Sequence, residues 1–194
     1  MGPGDPQAEQ FRCRKAIFSL NVQAVCGSDL NLYNIVCRWL GSVHDSRTFR
    51  NSAQYAQLQG GGYDGHLLRD STYPFCPFLM TPIPIPRQQN EFRYNLAHAK
   101  THNSIERAFG VLKRRFCCLS IPMRTNMDKT TATVCSAAVL HNLGINFRDG
   151  YENLEDNDDG DDGCIENEYE DVIHDVQNRQ AGQRKRANII SSVF

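Results

Sequence analysis

No apolar run in this chain approaches the roughly 18 residues that a membrane-spanning helix needs. The first residues, Met1-Gly-Pro-Gly-Asp-Pro-Gln7, carry neither a basic stretch nor an apolar one, so they do not read as a secretion signal. The eight cysteines are scattered and form no Cys-x-x-Cys pair, which speaks against a zinc site or a disulfide scaffold and for reduced thiols. A Gly-x-Ser-x-Gly elbow and a phosphate-binding glycine loop are also missing, so serine-hydrolase and P-loop chemistry are not indicated. Net charge is nearly absent at −1, but only by cancellation. Residues 1–148 hold 17 Lys and Arg against 9 Asp and Glu, residues 149–175 hold 13 acids and no Lys or Arg, and residues 176–194 add four basic groups. A basic body points to a polyanionic partner, which an acidic segment can also shield.

What is present begins with Ser104-Ile-Glu-Arg-Ala-Phe-Gly-Val-Leu-Lys-Arg-Arg-Phe116. Ile105, Phe109, Leu112 and Phe116 recur at helical spacing and make one apolar face. Glu106 flanks that face, and Lys113, Arg114 and Arg115 close it. Upstream, Ile17–Val25 alternates apolar and polar residues from Phe18 onward, Gly27–Asn31 is turn-like, and Tyr33–Leu40 is a second strand: a β-hairpin. Asp45 or Ser46 caps a helix expected to reach about Leu58, where Gly60-Gly-Gly ends it. His66–Asp70 is a short third strand and Phe78–Pro82 a further extended piece. A helix is expected from Gln88–Asn90, with Phe92, Leu96 and Ala99 in phase. That phase differs from the Ile105 face, which implies a bend near Lys100–Asn103. Asp128 is expected to cap a last helix running to about Phe147. Residues 149–171 are too acidic and aperiodic to bury a core, and disorder is expected. This order is mixed α/β.

Few acids in the body lack a local explanation. Asp5 and Glu9 lie in a leading loop, Asp29 and Asp64 sit in turns where Asp bonds its own backbone, and Asp128 reads as a cap. Of the other four, which include Glu91, the candidates are Asp45, Asp70 and Glu106, although Asp45 also has a capping role open to it and Asp70 can simply open a turn. Converging carboxylates hold Mg²⁺ or Mn²⁺ through hard oxygen ligands, and such ions activate water against a phosphodiester. His98 and His102 stand four apart, but the pattern is not His-Glu-x-x-His and does not support a zinc hydrolase.

Four stretches in order, Ser19-Leu-Asn-Val-Gln-Ala-Val25, Trp39-Leu-Gly-Ser-Val-His-Asp-Ser-Arg47, Leu68-Arg-Asp-Ser-Thr-Tyr73 and Ile105–Phe116, resemble the DDE endonuclease domain of PIF/Harbinger transposases and their domesticated nucleases. Leu140-His-Asn-Leu143 fits the last helix of that family. The resemblance covers about residues 8–147. It implies an RNase H-like α/β fold, a mixed sheet with flanking helices, and a metal-dependent nuclease using two Asp and one Glu. Asp70 matches the second Asp, although Arg69 and Thr72 stand where the family has glycines, and Glu106 matches the Glu. The family's first catalytic Asp lies on a strand upstream of the segment matching Phe11-Arg-Cys-Arg-Lys15, so the expectation is a domain lacking that strand and that Asp.

The reading is therefore a leading loop (1–10), a partial endonuclease-like domain (11–148), an acidic segment (149–175) and a basic tail (176–194). Asp70 and Glu106 are the expected catalytic metal ligands for Mg²⁺ or Mn²⁺, with Asp45 near the site in support. Arg47, Arg107, Lys113, Arg114 and Arg115 are candidate DNA phosphate contacts. DNA is the expected partner, with a separate DNA-binding protein as a second one, in the nucleus. The alternative is a non-catalytic protein that binds DNA or another protein there.

Overall fold

The computed structural model describes residues 19–40, 43, 45–61, 65–71, 73, 75–150 and 175–193. The leading loop and most of the acidic segment lie outside them. The chain divides into two compact units, Met1–Ser52 with Ser104–Asp158, and Ala53–Asn103 with Asp159–Phe194.

In the first unit, strands β1 (Leu20–Cys26) and β2 (Leu32–Leu40) form an antiparallel hairpin, as the alternation requires. Its register shifts between Asn21 and Val22 and between Val25 and Cys26. The Gly27–Asn31 turn is held by Asp29, whose carboxylate accepts from the Asn31 amide at 3.2 Å, the Asn31 side chain at 2.9 Å and the Tyr33 hydroxyl at 2.8 Å. Those hydrogen bonds lower the Asp29 pKa and account for this acid locally. Leu30 adopts a left-handed φ of 63°, uncommon for a branched side chain, while its side chain is buried in the core.

A single helix from Asp45 to Leu58 does not form. The chain makes α1 (Asp45–Arg50) and α2 (Ala53–Gln59), the latter assigned to the second unit. Asn51 and Ser52 interrupt it by bonding backbone carbonyls with their side chains, Asn51 to Arg47 at 2.8 Å and Ser52 to Phe49 at 2.7 Å.

The expected bend at Lys100–Asn103 is also absent. Helix α3 runs unbroken from Gln89 to Arg115. Its start is held by one arm of a capping box, with Glu91 accepting from the Gln88 amide at 3.0 Å. The phase expected for the first half, on Phe92, Leu96 and Ala99, is not the buried one. The first half buries Tyr94 and His98 and leaves Phe92 and Leu96 exposed; the second half buries Ala108, Val111 and Leu112, with Ile105, Phe109 and Phe116 packed beside them. Tyr94, His98, Ile105, Ala108 and Leu112 follow at spacings of 4, 7, 3 and 4, a single helical phase, so the bend inferred from Phe92 and Leu96 is not needed.

Helix α4 (Met127–Asn146) is capped by Asn126, which accepts from the Lys129 amide at 3.0 Å; Asp128 lies inside the first turn instead. Ala137 and Ala138 join Ala24, Leu30, Leu32, Ala108, Val111 and Leu112 in the core of the first unit. Cys37 is buried, which pushes its thiol up to about 11 and leaves it inert near neutrality.

In the second unit, strands β3 (Leu67–Leu68) and β4 (Leu79–Met80) pair in parallel. The first half of α3 packs with them, and so does α5 (Asp175–Val193), which occupies the stretch read as a basic tail. The architecture is mixed α/β, but the described strands form two separate two-stranded sheets rather than one mixed sheet.

Candidate active-site carboxylates and their supports

Glu106 projects from the second half of α3 and is exposed, as Arg107 beside it is. Its neighbours Ile105 and Ala108 face the core, so the helix phase turns the carboxylate outward. What fixes this part of α3 lies one helix away. Arg115 Nη1 donates to His141 Nδ1 at 2.9 Å and to the His141 carbonyl at 3.0 Å, and Nη2 pairs with Asp149. His141 Nε2 donates to the Leu30 carbonyl at 2.9 Å. A guanidinium only donates and a carbonyl only accepts, so the imidazole is neutral with its proton on Nε2.

Asn142 extends the same device. Its Oδ1 accepts from the Leu32 amide at 2.8 Å and its Nδ2 donates to the Leu32 carbonyl at 2.9 Å, satisfying both backbone groups where β2 begins. Gly144 completes it, because a Cβ at that position would collide with the Asp149 carboxylate and the Arg115 guanidinium. Replacing Asn142 with Ala leaves two part-buried backbone groups of Leu32 without this partner. A loss of about 1–3 kcal/mol is expected, read by urea denaturation.

Lys113 is exposed and Arg114 half-buried, while the Arg115 guanidinium is committed to His141 and Asp149. Arg47 is exposed on α1. Asp45 is the first residue of α1, but its side chain lies outside the described set.

Asp70 belongs to the second unit and is exposed, two residues beyond β3. The preceding amide of Arg69 donates to the Met80 carbonyl at 3.0 Å, and the Arg69 guanidinium lies 4.6 Å from the Tyr73 ring centroid. Three side chains of α3 hold the neighbouring backbone. His98 Nε2 donates to the Met80 carbonyl at 3.2 Å, Tyr94 donates to the Thr81 carbonyl at 3.1 Å, and Asn95 pairs with both the amide and the carbonyl of Ile83 at 2.8 and 2.9 Å. Burial holds the His98 imidazole below the ordinary histidine value, against its bond to Met80 and the charge of Asp70.

The two carboxylates therefore fall in separate units, each at an exposed position with supported backbone. Oxygen donors suit a hard divalent cation. Among the described residues no group of three or more His, Cys, Asp or Glu side chains is assembled to hold one. Sequence reasoning did not assign the supporting residues Tyr94, Asn95, His98, Arg115, His141 and Asn142 these roles. The signal available for two of them was the polar pair His141-Asn142 inside the apolar run Ala137–Leu143.

A family model described as DDE superfamily endonuclease matches residues 2–142. "Putative nuclease HARBI1" of Homo sapiens is 35% identical over 146 residues, 72% of this chain and 42% of the human protein. The Xenopus laevis protein of the same name is 30% identical over 135 residues, 68% of this chain and 39% of its own length. "Protein ALP1-like" of Arabidopsis thaliana is 26% identical over 153 residues, 68% of this chain and 36% of the plant protein. The chain thus spans about two fifths of the length of the curated relatives it matches. No solved structure matches.

Proposed function

The chain belongs to the DDE superfamily endonucleases, and from that membership we propose that it acts as a DNA endonuclease of the Harbinger transposase-derived type, with Asp70 and Glu106 holding Mg²⁺ or Mn²⁺. The observation that supports the reading is the match of residues 2–142 to the DDE superfamily endonuclease model, with Asp70 and Glu106 both at exposed positions. A bound divalent cation would activate water and stabilise the leaving oxygen of a phosphodiester. The residues of the chain itself orient the groups. Asp70 follows the ladder bond from Arg69 to Met80, and Glu106 lies on α3 nine residues before the Arg115 anchor. Arg47, Arg107, Lys113 and Arg114 are the proposed phosphate contacts; Arg115 is needed for the support just described. An RNase H-like arrangement, a nuclear location and a separate partner that supplies sequence recognition belong to the same proposal.

The test is nicking of supercoiled plasmid by the purified chain with Mg²⁺ or Mn²⁺. Cleavage is expected to stop with EDTA and to return when the metal is restored in excess. Cleavage that persists in EDTA would overturn the metal-dependent reading. A second reading, a non-catalytic DNA- or protein-binding protein, is favoured by the absence of a three-ligand cluster among the described residues. DNA retention in EDTA without nicking in any metal would select it.

A further inference from the structure

Helix α5 lies beyond residues 2–142, the range that the family model matches, yet it packs with the strand pair that leads to Asp70. We propose that α5 is a positioning element for Asp70 and that Arg186 is its principal positioning residue, acting through the β3–β4 pair rather than on DNA. The activity part of this inference rests on the nuclease reading of Asp70; the positioning part does not.

Three contacts make the clamp. Arg186 places its guanidinium 4.3 Å from the Phe75 ring centroid and donates to the Thr81 carbonyl at 3.4 Å. That carbonyl also accepts from Tyr94 of α3, so two helices converge on the residue that follows β4. Lys185 Nζ donates to the Gly65 carbonyl at 3.0 Å, two residues before β3. Together the neighbouring side chains hold the pair near its entry and at its exit. Gly182, one helical turn before Arg186, permits the approach: a Cβ there would lie 3.0 Å from the Cys76 carbonyl carbon and from the Phe75 ring.

A two-residue parallel pair has little stability of its own, because parallel pairing of so few residues yields few ladder bonds. Its position must come from what packs on it. Arg186 is half-buried and planar, so it stacks on Phe75 while its charge stays hydrogen-bonded; a lysine keeps the charge but not the stack. Asp70 lies two residues beyond β3, so displacement of the pair displaces its carboxylate.

The experiment is hydrogen–deuterium exchange on the full chain, comparing wild type with Arg186→Ala, Arg186→Lys and Lys185→Met. Arg186→Ala is expected to speed exchange of the Leu67 and Arg69 amides, which donate to Phe78 and Met80, at least tenfold. Amides of the β1–β2 hairpin should stay unchanged. Arg186→Lys should restore part of the protection, and Lys185→Met should loosen Leu67 more than Arg69. If Arg186→Ala does not fold, the Lys185→Met and Arg186→Lys proteins carry the test. Unchanged exchange at Leu67 and Arg69 in the folded variants would overturn the proposal. In the nicking assay, kcat should fall while KM for DNA holds; a rise in KM alone would make Arg186 a DNA contact and also overturn it. Loosened exchange in a protein that never nicks DNA would leave the positioning role standing and remove the nuclease reading.

Discussion

Glu106→Gln is expected to lower metal-dependent nicking by about 10³-fold, on the order of 4 kcal/mol of transition-state stabilisation, while leaving the protein folded. The two halves of this result have different causes. Glutamine keeps the size and helix propensity of glutamate but removes the charge that a hard cation requires. The stability change should stay within about 0.5 kcal/mol, because the side chain is exposed and the buried face of α3 is formed by Ala108, Val111 and Leu112. Plasmid nicking and a urea melt on the same preparation separate the two. Wild-type cleavage rates in the variant would exclude Glu106 as a ligand, and the nuclease assignment would then need another carboxylate. Loss of activity together with loss of fold would instead show that Glu106 supports the helix.

His141→Ala should be the most destabilising single change in the first unit, by roughly 3–5 kcal/mol. The ring is fully buried, donates to Leu30 and accepts from Arg115. Its removal leaves a cavity, a carbonyl deprived of its donor at a residue with left-handed backbone, and a guanidinium that has lost one acceptor. Against a typical stability of about 5–15 kcal/mol, that loss is large. His141→Gln retains one donor and one acceptor in the same region and should lose markedly less. Chemical denaturation of the three proteins checks the order. Equal loss in Ala and Gln would mean that shape, not hydrogen bonding, is what the site requires. Nicking should fall in His141→Ala before global unfolding, since the network anchors the end of the helix that carries Glu106.

Much of the architecture was legible because it is written in local periodicity. Alternation marked the hairpin, spacing marked the second half of α3, and glycine and asparagine marked the turn between β1 and β2. The errors came where side chains compete with the backbone or where exposed apolar residues stood in for the buried face. Asn51 and Ser52 break a helix that periodicity alone would continue, because their side chains bond carbonyls one turn back. Asn126, rather than Asp128, caps α4, and either residue type satisfies the same sequence rule. The bend expected in α3 came from placing Phe92 and Leu96 on the buried face; with Tyr94 and His98 there instead, the phase is constant and the helix continuous. Phe92 and Leu96 were expected inside and lie outside, since Tyr94 and His98 have hydrogen-bond partners in the backbone near β4.

The sequence by itself determined the family and the mixed α/β class and made Asp70 and Glu106 the candidate ligands, because ordered motifs and a scarcity of acids in a basic body are properties of the chain alone. Only the tertiary structure decided what supports those residues. Arg115 reads as one more basic residue until His141 and Asp149 are found beside it. Lys185 and Arg186 read as a charged tail until Gly65, Phe75 and Thr81 are found within reach. The separations involved are 26 residues between Arg115 and His141, 110 between Leu32 and Asn142, and 105 between Thr81 and Arg186. A hydrogen bond requires its two groups within about 3 Å, and closeness across such separations is created by folding rather than by any local pattern.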